Sequence, residues 1–394
     1  MYFLREDVRL NMKKFLTIFY YNDVGPQHFY KDVGSIPLGL AKFRGWKAFF
    51  AYSKIKSEIH DDYYEKYVSV IPIEAKKHHF FSMVCFLWNN IKKYDVLNIY
   101  HFGKKSLICC FVAKMRNPKI IIYIKFDAGR QATSIYLKRN TNFFYRLIMK
   151  LIFKLHLFPD LFTVETKSYV NKLWGITRGK IQYLPNGVWG DLPGMEDIQN
   201  TKEKVILNVG RLTAPEKNIK LLIDSFVKIH DSVRLGWKLV LIGEYNDEIE
   251  TVARNAIRQE PSLQGKIIFV GEIRNKILLN QYYANAAIYG LTSKWESFGI
   301  SLLEAMYQGC FPIVTDCCDA FYDILGEGKY GCIIPNENEK AFSRALCTAM
   351  IDFDYTVKQG MQAKKFVSQN FDYKVITAQL EKFLDELIHE ESHT

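Results

Sequence analysis

The chain has 394 residues, 48% of them hydrophobic, with 53 Lys and Arg against 42 Asp and Glu and a formal charge of +11. That length exceeds what one hydrophobic core serves and suits two domains, and the apolar fraction, with no long biased tract, excludes a disordered chain. No apolar run approaches the ~18–20 residues of a membrane-spanning helix.

Lys13 and Lys14 precede FLTIFYY, which is too short for a signal-peptide core and lacks a small-residue cleavage site, so the segment reads as a first buried strand. Met12 is an alternative start, which makes residues 1–11 an extension. In chain order the short apolar, β-rich runs are KFLTIFYY, GWKAFFAY, KYVSVI, DVLNIYH, KIIIYIKF, LFTVET and KIQYLPN. The rhythm restarts with KVILNVG, WKLVLIG, KIIFVG, AAIYGLTS, CFPIVTD and GCIIP. Runs without strict alternation, separated by helical patterns, predict parallel sheets covered on both faces. The expected fold is α/β, with two doubly wound Rossmann-like domains. The Pro-, Gly- and Asn-rich stretch 184–204 marks the boundary. The domains are expected at 12–188 and 189–371, with a C-terminal helix, 372–390, packing back on the first.

Charge divides unevenly. Residues 1–180 carry 31 Lys and Arg against 13 Asp and Glu, whereas residues 181–394 carry 22 against 29. The first half therefore faces something anionic. Residues 138–158, KRNTNFFYRLIMKLIFKLHLF, set Arg146, Lys150 and Lys154 among Phe, Leu and Ile. Such a helix either lies in an anionic membrane interface or packs on the sheet with a solvated basic face. No RNA-binding aromatic motif or helix-turn-helix pattern points to nucleic acid. Eight cysteines without a C-x-x-C or zinc-like spacing read as reduced core residues of a cytoplasmic protein.

Ligands of open parallel sheets bind beyond the carboxyl ends of the strands. KVILNVGRLTAPEKN places Gly210 and Arg211 at such an end and Lys217 just before a helical pattern. An Arg fork and a Lys point charge beside a helix start can seat a diphosphate; two ordinary cations on a solvated loop are the other reading. ESFGISLLEAMYQG, residues 296–309, sets Glu296 before a helix predicted from about Ser301, and Glu304 inside it. Gly299 lets a ligand approach the backbone. Eight residues of helical rise amount to ~12 Å, about the reach from the hexose to the ribose of a nucleotide sugar. A carboxylate's two oxygens suit a vicinal diol.

These motifs resemble the R-x5-K and E-x7-E signatures of retaining GT-B glycosyltransferases. ESFGISLLEAMYQGCFPIVTD looks like glycosyltransferase family 4, strongly over residues 200 to 335 and weakly over the first half. The resemblance implies a nucleotide-sugar donor, uridine-linked by family frequency, and no metal or other cofactor. Gly210, Arg211 and Lys217 match the diphosphate site, Glu296 the donor-sugar contact and Glu304 the ribose contact. Ser297, Phe298, Gly299 and Ile300 match the loop holding sugar and phosphate. Gly243 and Glu244 match a loop lining the nucleotide pocket, and Ile273 in FVGEI the loop holding the base.

The first domain departs from the pattern. Where the family carries a Gly-rich loop after the first strand this chain reads YNDVGPQHFYKDVGSIP, with Gly25 and Gly34 available, Gly34 where a helix could start, and Lys31 and Asp32 as other contacts. His101 after DVLNIYH resembles the family's V-H-x-H position or is a satisfied core histidine. Where the family places a catalytic-site His, KIIIYIKFDAG offers Asp127, with Lys125 as the alternative. Asp352-Phe-Asp354 matches the D-x-D metal motif of the other glycosyltransferase fold but lies beyond the last strand. The resemblance implies a retaining, metal-independent hexosyltransferase acting on a carbohydrate, or lipid-linked, acceptor in surface polysaccharide or glycan biosynthesis. The site expected is cytoplasmic, peripheral on the inner face of the membrane, where the basic half meets the anionic surface. The alternative is an inactive GT-B-like scaffold that binds membranes or partners.

Overall fold

The structure is a computed structural model that describes residues 12–21, 24–54, 58–74, 79–126, 129–140, 143, 146–147, 150, 158–192 and 201–392. The chain divides into two compact units, residues 1–186 with 373–394, and residues 187–372. Each unit has its own parallel sheet.

The first sheet has seven strands: β1 (Lys14–Phe19), β2 (Lys47–Lys54), β3 (Val68–Glu74), β4 (Val96–Tyr100), β5 (Ile121–Phe126), β6 (Leu161–Val164) and β7 (Ile181–Tyr183). They pair in the order β3-β2-β1-β4-β5-β6-β7. The second has six: β8 (Glu203–Val209), β9 (Lys238–Ile242), β10 (Ile267–Gly271), β11 (Ala286–Leu291), β12 (Phe311–Thr315) and β13 (Cys332–Ile334), in the order β10-β9-β8-β11-β12-β13. Every apolar run picked out in the sequence becomes one of these strands. β4, β5, β6 and β11 are buried at every residue, as strands with both faces covered by helices must be. Both sheets carry the doubly wound order, in which the winding reverses once, between β1 and β4 and between β8 and β11.

The apolar core of the first unit runs from Leu16 and Ile99 through Phe102, Phe126 and Phe162 to Leu173. The second unit has one apolar cluster on each side of its sheet, around Leu303 and Phe321 and around Leu222 and Trp237. The helix Tyr373–Ser392 belongs to the first unit. There Glu381 accepts from the Trp46 indole at 2.8 Å, and Lys13 pairs with Asp385 at 2.5 Å.

Asp352 of the D-x-D sequence caps the helix Phe353–Asn370, accepting from the Tyr355 amide at 3.0 Å. That capping bond explains an acidic residue at this position without a metal. No helix among the described residues is long and apolar enough to cross a membrane. Most of the basic stretch 138–158 lies outside the described residues.

Candidate active site

In the second unit the winding reverses between β8 and β11, and a ligand of such a sheet binds beyond the carboxyl ends of the strands at that reversal. β8 leads into Gly210 and Arg211, and β11 leads through Thr292 to Glu296. The Lys217 ammonium donates to the Glu296 carboxylate, and the Ser293 hydroxyl donates to the same oxygen at 2.8 Å. The side chains of Lys217 and Glu296 are only 19% and 15% exposed, so the pair sits within the protein's low-dielectric margin. Lys217 ends a single 3-10 turn, Pro215–Lys217, and the chain then reverses through Asn218 at φ 48°. The buried Thr292 hydroxyl lies 3.0 Å from the Asn218 carbonyl and 3.2 Å from that of Lys217. The Lys294 amide donates to the Glu216 carbonyl at 2.6 Å. Arg211 is 74% exposed and donates to Glu216 at 3.0 Å.

Two glycines make room here. Gly243, with φ at +143°, follows β9, and a Cβ on it would stand 1.7 Å from the Gly210 carbonyl oxygen. The loops leaving β8 and β9 therefore close on each other only with hydrogen at that position. Gly299, at φ +98°, turns the chain into the helix Ile300–Tyr307. The first intrahelical bond runs from Leu302 to the Gly299 carbonyl at 3.0 Å, so the amides of Ile300 and Ser301 precede it and face outward along the axis. Phe298 is buried in the apolar cluster, the Ser297 carbonyl accepts from the Cys318 thiol at 3.2 Å, and Ile273 packs on the same cluster after β10. Glu244 is exposed beside Gly243.

Glu304 lies in the second turn of this helix with both carboxylate oxygens engaged. Lys276 pairs with one at 3.1 Å and the Tyr283 hydroxyl donates to the other at 3.1 Å. Burial, and then the charge of Glu304, hold the Tyr283 hydroxyl well above its ordinary pKa, so it remains a donor. The helix begins at Ile300, four residues past Glu296. The spacing of the two carboxylates is therefore not the rise of eight helical residues: helix accounts for ~6 Å of it, and a bent, glycine-containing loop for the rest.

In the first unit His101 directly follows β4 at φ 61°, its amide donating to the Lys125 carbonyl at 3.0 Å. Its ring meets the edge of Tyr21, at 5.8 Å, beyond the reversal between β1 and β4. Gly34 is the third residue of the helix Asp32–Arg44 and is buried. Its amide donates to the Lys31 carbonyl at 3.1 Å, and a Cβ would overlap the Phe29 backbone at 2.4 Å. Its small size thus serves the packing of the preceding turn. Lys125 is fully buried on β5 and donates to the Leu184 carbonyl at 3.2 Å. Asp127 lies outside the described residues.

Five residues of the second-unit site go beyond the sequence motifs. Glu216, Lys276, Tyr283, Tyr289 and Thr292 each bind a motif residue or its backbone through a contact that only the fold creates. Tyr289 is fully buried, and its hydroxyl donates to Ser301 Oγ at 2.8 Å with the Val209 carbonyl 3.3 Å away. Burial raises its pKa.

Residues 196–366 match the family Glycosyl transferases group 1. The chain is 27% identical over 259 residues to N-acetylgalactosamine-N,N'-diacetylbacillosaminyl-diphospho-undecaprenol 4-alpha-N-acetylgalactosaminyltransferase of Campylobacter jejuni, covering 64% of this chain and 66% of that protein. It is 22% identical over 254 residues to the amylovoran biosynthesis glycosyltransferase AmsD of Erwinia amylovora, covering 64% and 67%. The curated relatives are thus matched over about two thirds of their length or less. Among solved structures, sucrose-phosphate synthase of Thermosynechococcus elongatus superposes with a TM-score of 0.65 at 18% identity, over 96% of this chain and all of that one. HepE of Anabaena, solved with UDP and glucose, gives 0.62 at 15% identity over 95% of this chain and 100% of that one. Likeness over the whole chain at such low identity establishes the fold, the two parallel-sheet α/β domains of GT-B glycosyltransferases. The R-x5-K and E-x7-E residues at the switch point of the second unit all fall within the segment 196–366 that is similar to the group 1 glycosyl transferases.

Proposed function

We propose that the chain transfers a hexose from a nucleotide diphosphate sugar to a carbohydrate acceptor of a surface polysaccharide or glycan, with retention of configuration and without a metal. The observation that carries this is the Lys217–Glu296 contact between the segments that leave β8 and β11, with Arg211 earlier in the first segment and the helix Ile300–Tyr307 starting four residues past Glu296 in the second. A diphosphate seated there meets two cations and outward-facing amides, and Glu296 is left to accept from hydroxyls of the hexose. In the reaction the bond from the anomeric carbon to the phosphate oxygen breaks, and the acceptor oxygen bonds to that carbon. Arg211 and Lys217 take up the charge that grows on the diphosphate, whose own oxygen accepts the acceptor's proton. Fixed donors aimed at developing charge contribute several kcal/mol in a site shielded from water.

Uridine is the base we favour, and it is supported by the HepE complexes with UDP and UDP-glucose. An acceptor carried on a lipid diphosphate would bring the basic first half to an anionic membrane surface on the cytoplasmic side. The diphospho-undecaprenol substrate in the Campylobacter enzyme's name supports that reading.

A thermal-shift panel of UDP-, GDP- and ADP-sugars tests the proposal, because a ligand bound to the folded state raises its apparent stability. One sugar nucleotide should raise Tm in the wild type, with the shift lost in Arg211→Ala and Lys217→Ala. No shift with any of them, together with no release of free nucleotide, would refute it.

A further inference from the structure

The transfer step itself makes no use of the excess of cations in residues 1–180. Part of that excess is ordered. A groove of about 1310 Å³ in the first unit runs along the amino ends of β1 to β5, the sheet end opposite His101. Each of these five strands has a lysine at or shortly before its first residue. In sheet order these are Lys66, Lys47, Lys14, Lys92 and Lys119, ahead of β3, β2, β1, β4 and β5. Adjacent strands lie ~4.8 Å apart, so the row of five covers ~19 Å.

All five side chains are exposed, and none makes an ion pair among the described residues. Lys47 and Lys66 lie over the Phe49 and Tyr67 rings. A sixth lysine, Lys13, is paired with Asp385. The groove's two carboxylates are partly used by backbone: Asp95 accepts from the Lys14 amide at 2.7 Å and Glu65 from the Asp61 amide at 3.1 Å. Five lysines at successive strand ends, against the two carboxylates of the groove, leave an excess of positive charge that favours a ligand carrying negative charges in series.

We propose that this row holds a linear polyanion lying across the strands, its anionic groups meeting the lysines in turn. Given the transfer reaction proposed above, on which this clause rests, the polyanion is an acidic glycan chain bearing carboxylates or phosphates. The groove's concavity suits a chain rather than a flat bilayer. A single-stranded nucleic acid would need open ring faces to stack its bases on, whereas Trp46 and Tyr94 in the groove are 4% and 6% exposed and the half-buried Tyr67 has the Lys66 ammonium over its ring. An acidic saccharide needs only the charges.

The test uses the full chain and a fluorescent heparin-derived octasaccharide, titrated by anisotropy at about 50 and about 200 mM salt. Saturable binding that weakens with salt is expected. The triple variant Lys47→Glu, Lys92→Glu, Lys119→Glu should bind at least about tenfold more weakly, and the three Lys→Arg changes should preserve affinity. Should the triple variant fail to fold, the milder pair Lys92→Gln and Lys119→Gln serves, with a partial loss expected. The proposal falls if the wild type does not bind, if charge reversal leaves affinity unchanged, or if a single-stranded oligonucleotide of equal length binds more tightly. It also falls if phosphatidylglycerol vesicles bind through these lysines while the octasaccharide does not. The nucleotide-dependent Tm shift should survive in the triple variant. Loss of that shift in the wild type would sink the transfer reading alone and leave the binding result to stand or fall by itself.

Discussion

The hydroxyl of Tyr289, fully buried on β11, donates to Ser301 Oγ at 2.8 Å and lies 3.3 Å from the Val209 carbonyl. One side chain thereby ties the last residue of β8, one position before Gly210 and Arg211, to the first turn of the helix that bears Glu304. Tyr289→Phe keeps the ring and removes only the tie. A buried hydrogen bond of this kind is worth ~1 kcal/mol net. The expected result is a donor KM raised roughly fivefold with kcat changed less, read from steady-state kinetics. A change confined to Tm would assign Tyr289 to packing alone.

Lys217 and Glu296 touch each other but should answer differently to nucleotide and to nucleotide sugar. UDP has a diphosphate and no hexose, so Lys217→Ala should weaken its binding by roughly tenfold or more, the worth of a charge-assisted bond. Glu296→Ala should leave UDP affinity within about threefold yet lower turnover by about a hundredfold or more. Calorimetric titration beside initial rates reads both. Equal losses of UDP affinity in the two variants would remove Glu296 from the sugar.

Glu304 is held by Lys276 and Tyr283, one on each oxygen. A carboxylate has about four acceptor sites, so two remain for a ribose diol. Glu304→Gln should raise the donor KM with little effect on kcat, because ribose lies far from the bond that breaks. Lys276→Met should give a smaller rise in the same parameter by freeing the carboxylate to turn. A fall in kcat alone in either variant would contradict the assignment.

Lys202 offers a purely structural test. Its ammonium donates to the carbonyls of Tyr283, Ala286 and Gln308 at 3.1, 2.8 and 2.7 Å, and burial lowers its pKa. Lys202→Met leaves three partly buried acceptors unpaired, at ~1–3 kcal/mol for each one that water does not reach. A clearly lower midpoint in urea is expected. Because the folded pKa lies below the unfolded one, the charged lysine opposes folding at neutral pH. That penalty fades as pH rises through the folded value towards 10.5. The destabilisation measured for the methionine variant should therefore grow as pH is raised over that window, and a pH-independent difference would argue against the buried cation.

The strands were legible from their apolar runs because burial on both faces leaves little freedom of composition, and all the runs named became strands. Arg211 and Glu296 were legible for a related reason: each lies within five residues of a strand end, so position along the chain predicts position in space. The contacts that orient them were not. Tyr289 reads as one more apolar strand residue and Thr292 as a strand terminus; only pairing of β11 with β8 brings Tyr289 near Val209. The helical rise used to space Glu296 and Glu304 does not apply over its first half, because the helix starts only at Ile300, after a glycine at φ +98°. Gly34 carried a signal of small size that serves the turn at Phe29.

Arg211 rests against Glu216, and Lys217 against Glu296. A diphosphate arriving there trades one pair of counter-charges for another, so the net gain in attraction is smaller than two bare cations would supply. Affinity for the spent nucleotide should accordingly be moderate and change little between low and physiological ionic strength. Departure of the nucleotide re-forms protein contacts and exposes no naked charge. A pocket built in this way favours repeated cycles of use over tight retention of what it has just cleaved.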